Sequence, residues 1–107
     1  MIINITLNNC ITDQELINFG FRNYGNTYKL SIPICSYKER ATITLDFYMN
    51  IKERKAEYAV INQSDFNYYT PFYDRKYGTN ENVNKADKLL NKYILKLQQA
   101  KILNRGR

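Results

Sequence analysis

The chain has 107 residues, 44% of them apolar, enough for one folded core and too many for a disordered chain. Its net charge is +6 and it has no histidine, which removes the commonest general base and the commonest metal ligand. That length makes one domain over 1–107, and two cysteines without a histidine argue against a structural zinc site, so a non-enzymatic protein with no metal and no cofactor is expected.

Met1 to Leu7 alternates Ile3, Ile5 and Leu7 with Asn4 and Thr6, the pattern of a short strand. Thr12 and Glu15 have capping-box spacing, and Ile11 and Leu16 have the spacing of a hydrophobic staple. Gly20 stands where a C′ glycine would end the helix. A two-turn helix over Asp13 to Phe19 follows, too short to be stable without packing. Asn23 to Asn26, with Gly25, reads as a turn.

Tyr28, Leu30, Ile32 and Ile34 then alternate with polar neighbours, giving a strand with one apolar face. Pro33 cannot donate to a ladder, so this strand lies at an edge or is bulged there. Ser36 to Arg40 is a polar connection. Ile43, Leu45, Phe47 and Met49 mark a second strand, Lys52 to Lys55 a charged turn, and Ala56, Tyr58 and Val60 a third strand ending near Asn62. Short connections make these an antiparallel meander.

Gln63 to Asn80 has no period. It carries Phe66, Tyr68, Tyr69, Phe72, Tyr73 and Tyr77 around Thr70-Pro71, and Pro71 argues against a helix. A structureless loop of this length is often functional. Its rings either pack over the sheet and the last helix or anchor a partner. In the second case Tyr68, Tyr69, Phe72 and Tyr73 are the candidate contacts.

Asn82 to Leu103 has the clearest helical period, with Val83, Ala86, Leu90, Tyr93, Ile94, Leu97 and Ala100 in one apolar stripe. From Asn84 onward there are seven basic residues and one acidic one, whereas basic and acidic residues balance before it. Lys85, Lys88, Lys92 and Lys96 form a row turned away from the apolar stripe, and only Glu81 sits four residues before a member of it. The row is either a solvated face or a docking face for an anion.

No apolar run approaches the ~20 residues of a membrane span, and no N-terminal segment has the make-up of a signal peptide. A cytoplasmic protein without membrane contact is expected, with Cys10 and Cys35 reduced and buried. Asp46 followed by Glu53-Arg54-Lys55 mimics the two carboxylates and lysine of metal-dependent nucleases. Glu53 and Lys55 fall in a turn, where a solvated hairpin is the ordinary outcome, so the nuclease is a remote alternative.

The order helix, three strands, helix from Asp13 to Leu103 resembles the double-stranded RNA-binding domain, with Lys85-Ala86-Asp87-Lys88 where that family spans phosphates. Tyr58-Ala59-Val60-Ile61-Asn62-Gln63, then Phe66-Asn67-Tyr68-Tyr69-Thr70-Pro71-Phe72-Tyr73, then a Lys-rich helix ending Ala100-Lys101-Ile102-Leu103, resembles small proteins of phages and mobile elements of low-GC Gram-positive bacteria. That resemblance implies a protein that binds and inhibits or redirects a host protein machine, including anti-CRISPR and other anti-defence inhibitors.

The expected fold is α+β: a short N-terminal helix, an antiparallel three- or four-stranded sheet, and a long basic amphipathic C-terminal helix packed on the sheet. The expected function is binding to a host protein. RNA or DNA binding through the Lys face and the aromatic loop is the alternative.

Overall fold

In the computed structural model, residues 3–8, 10–76 and 78–104 are described; Met1 and Ile2 of the expected first strand, and Tyr77 of the aromatic run, lie outside them. The chain runs β1 (Ile3–Ile5), α1 (Asp13–Phe19), β2 (Arg22–Tyr24), β3 (Thr27–Tyr37), β4 (Arg40–Asn50), β5 (Lys55–Asn62), β6 (Asn67–Tyr68), α2 (Thr70–Tyr73) and α3 (Glu81–Gln99). The α+β fold is as expected, but the sheet is larger. It is antiparallel in the order β1-β5-β4-β3-β2, with the two-residue β6 also on β5.

Alternation in β3, β4 and β5 puts one apolar face under the helices. Leu30, Phe47 and Tyr58 line up across the three strands, as do Ile32, Leu45 and Val60. Phe47, Leu45, Met49 and Val60 are buried here with Val83, Ala86 and Leu97 of α3, and the ring of Tyr93 lies 6.5 Å from that of Phe47. Each fully buried Val, Leu, Phe or Met among them contributes about 1.5–3 kcal/mol by leaving water. Leu16 of α1 and Phe21 after it close the same core.

The predicted caps of α1 form as read. Thr12 and Glu15 make the reciprocal capping box. Gly20 adopts φ 127° and donates to Ile17 O, while Phe21 donates to Leu16 O, which ends the helix in a Schellman motif.

Four details depart from the expectation. Asn23 and Tyr24 are strand, so the turn before β3 is only Gly25 and Asn26. The connection between β3 and β4 is the pair Lys38 and Glu39, both at positive φ (50° and 66°), as a two-residue primed turn requires. Pro71 sits in the first turn of α2, where its missing N–H costs nothing, so it starts a short helix. The C-terminal helix stops at Gln99. Lys101 turns at φ 61°, Ile102 N–H donates to Leu97 O, and Ile102 and Leu103 fold back into the core, where Leu103 bridges Leu7. The helical period ends at Ala100 in sequence, and Ile102 and Leu103 beyond it are core without being helix.

Candidate functional site

Among the described residues the second face of the sheet carries no helix. Register places on it Arg22 of β2, Lys29 and Ser31 of β3, Thr44, Asp46 and Tyr48 of β4, Glu57, Ala59 and Ile61 of β5, and Tyr68 of β6. At its centre Asp46 is only 1% exposed. A carboxylate so desolvated requires partners. Ser31 Oγ donates to it at 2.6 Å, Tyr48 Oη at 3.2 Å, and Lys29 Nζ lies 3.8 Å away. Burial first, and then the negative charge of Asp46, pushes the Tyr48 phenol above its ordinary range. Alongside, Gln63 Nε2 donates to Thr44 Oγ1 at 2.7 Å.

Toward β5 and β6 the same face hollows into a groove of about 370 Å³, lined by Tyr48, Glu57, Ala59, Ile61, Phe66 and Tyr68 together with Thr27 and Asn67. Phe66 is 80% exposed and adopts φ 57°, an unusual conformation for a bulky residue. A second hollow adjoins it, lined by Tyr48, Glu53, Lys55 and Glu57 among others.

The four candidate aromatics are not alike. Phe72 is 6% exposed and belongs to the core, so its ring is withdrawn from the surface. Arg75 covers it, its guanidinium 5.0 Å from the ring centroid. Tyr69 is half-buried and accepts a hydrogen bond from Asn80 Nδ2, while Asn80 Oδ1 caps the start of α3 through Val83 N–H. Tyr73 accepts the Val60 N–H at 2.9 Å and meets the edges of Phe72 and Tyr68 at 5.0 and 5.6 Å. Burial raises its phenol pKa, an effect the Val60 N–H partly offsets. Tyr68 lines the groove. The loop thus contains β6 and α2, and three of its four named rings brace structure.

Lys85, Lys88, Lys92 and Lys96 are all exposed along α3. None forms an ion pair among the described residues. Lys92 and Lys96 lie 6.0 and 5.2 Å from the Tyr93 ring centroid. Asp87, the acid within this row's sequence, is engaged elsewhere: Arg75 holds it by two hydrogen bonds of 2.9 and 2.8 Å. Since α3 covers one sheet face and turns its Lys row outward, the row and the groove lie on opposite sides of the molecule.

The nuclease-like set does not assemble. Asp46 is sealed in mid-strand, while Glu53 is exposed beyond the strand end and pairs with Lys55 at 3.6 Å. Asp46 to Asn50 alone spans about 13 Å of strand. Among the described residues no three metal-ligating side chains cluster. The cysteines are unpaired, with Cys10 exposed rather than buried as expected and Cys35 half-buried. Among the described residues no helix is long and apolar enough to cross a membrane.

No protein-family model matches the chain, and no curated protein matches it. Its fold is similar to that of a crystal structure of a DUF1831 family protein from Lactobacillus plantarum, with a TM-score of 0.67 at 13% identity over 92% of this chain and 82% of that one. The likeness is one of fold.

Proposed function

We propose that this chain is a non-enzymatic binding protein whose partner is another protein, engaged by the groove on the sheet face opposite α3. One observation carries the reading: the exposed ring of Phe66 and the half-buried rings of Tyr48 and Tyr68 share their groove with a carboxylate, Glu57, while the lysine row lies on the other side. A single-strand nucleic-acid binder needs stacking rings and phosphate-pairing cations along one groove. A protein interface needs aromatic anchors in a concave, partly apolar patch with polar groups around it, and Phe66, Tyr68, Tyr48 and Ile61 supply that. The action we propose is occlusion or redirection of a larger host assembly in the host cytoplasm, as phage inhibitors of CRISPR and other defence systems act.

The test is site-specific photocrosslinking. p-Benzoylphenylalanine replaces Phe66 in one variant and Lys92 in another, and both are irradiated in expressing cells. Discrete protein adducts at position 66, absent at 92, are expected. Adducts to nucleic acid at 92, with none at 66, would overturn the reading.

The second reading, RNA or DNA on α3, is favoured by four ammonium groups spread over about 16 Å of helix, none in an ion pair among the described residues. It requires binding of mixed-sequence RNA or DNA that weakens with salt, the log–log slope falling by about 0.7–0.9 for each Lys→Ala.

A further inference from the structure

Across the three central strands Lys29, Tyr48 and Glu57 stand side by side, Lys29 and Glu57 being the register partners of Tyr48 in β3 and β5. The two sides of Tyr48 are treated differently. On the β3 side a cation is in place: Lys29 Nζ lies 5.8 Å from the Tyr48 ring centroid and 3.8 Å from Asp46. On the β5 side the same ingredients recur, with Glu57 as the carboxylate and Phe66 and Tyr68 as further rings, yet no cation is paired with Glu57 among the described residues. Lys55, in the adjoining hollow, pairs with Glu53 at 3.6 Å rather than with Glu57.

We propose that the groove between Tyr48, Glu57, Phe66 and Tyr68 is a cation subsite, and that its occupant is a lysine or arginine side chain of the protein partner. Three aromatic rings and one carboxylate line it, the groups that a desolvated guanidinium or ammonium pairs with. A groove of about 370 Å³ lies at the lower end of small-ligand sites and suits one long side chain. Ile61, the partly exposed aliphatic side chain of the lining, accommodates the methylene stem. The proposal rests on the protein-binding reading and gives it a ligand chemistry.

The experiment is an NMR titration of the ¹⁵N-labelled full chain with acetyl-Gly-Arg-Gly-amide. The comparison peptide carries citrulline, which keeps the shape and removes the charge. Saturable shifts are expected at the amides of Tyr48, Glu57, Ala59, Ile61 and Tyr68. Citrulline in the peptide, or Glu57→Gln in the protein, should each weaken binding by about tenfold. Tyr68→Leu, which removes a ring without touching the charge, should weaken it as well. Equal binding of the two peptides, indifference to Glu57→Gln, or no saturable shift would overturn the subsite. Tetramethylammonium binding as tightly as the peptide would overturn it too, since the site would then take small free cations. If the subsite fails while protein adducts at position 66 persist, the protein-binding reading stands without it; if those adducts are missing, the reading itself falls.

Discussion

Tyr73 Oη accepts the backbone N–H of Val60 at 2.9 Å, and in doing so it completes the outer edge of β5. On that edge β1 pairs with Ala56 to Tyr58 and β6 with Ile61 and Asn62. Val60 falls in the gap, where its carbonyl accepts from Tyr69 N–H and its N–H has the phenol. Tyr73→Phe keeps the ring and its contacts with Phe72 and Tyr68 but strands a partly buried donor. A loss of about 1–3 kcal/mol is expected in urea melts, with the m-value unchanged. A loss under about 0.5 kcal/mol would mean that water replaces the phenol.

Leu97 and Leu90 share the apolar stripe of α3 but not its depth. Leu97 is fully buried, whereas Leu90 is only partly so. Leu97→Ala should cost about 2–5 kcal/mol and Leu90→Ala distinctly less, because a partly exposed site leaves a smaller cavity. Equal losses in chemical denaturation would show that α3 rolls further onto its Leu90 side.

Two helix ends offer opposite substitutions. Lys101 occupies the left-handed position of a Schellman motif that usually holds glycine, at φ 61°. Lys101→Gly should stabilise the protein by about 0.5–1 kcal/mol. Gly20 has φ 127° in the equivalent motif after α1, and Gly20→Ala should destabilise by about 1 kcal/mol or more. Thermal melts of the two variants should therefore move in opposite directions.

Alkaline pH should unfold the protein through its tyrosines. The Tyr48 pKa is raised in the folded state, by burial and then by Asp46, so the unfolded chain loses this proton first. The corresponding stability is present below the ordinary tyrosine pKa of about 10 and is lost as pH climbs past it. Tyr58 and Tyr73 shift in the same direction. The melting temperature should fall between about pH 9 and about pH 11, and less steeply in Tyr48→Phe. An identical slope in that variant would remove Tyr48 as a contributor.

Local chemistry made much of the fold readable. Thr12, Glu15 and Gly20 bracket α1 because capping needs those residue types at that spacing. Long alternating runs made β3, β4 and β5 readable. β2 was not, since Arg22, Asn23 and Tyr24 are all exposed and show no alternation. Lys38 and Glu39 hide a two-residue turn because neither is the glycine or asparagine that normally marks positive φ. The groove was hidden for a different reason. Tyr48 and Glu57 belong to separate strands, and only register makes them neighbours. Phe66, Tyr68 and Phe72 look equivalent in a segment without period, yet the first two line a surface groove while the third is core.

Pro33 has a bearing on how the molecule behaves when concentrated. β2 pairs with β3 only through Thr27 to Lys29, so among the described residues the rest of that side of β3 has no strand beside it. A long bare margin of this kind invites another copy to add on, and repeated addition is how fibrils grow. Pro33 withholds one amide from any newcomer, and the shift in pairing between Pro33 and Cys35 breaks the even spacing that a newcomer would have to match. Replacing Pro33 with valine would restore the amide and turn this margin into a template for polymer growth.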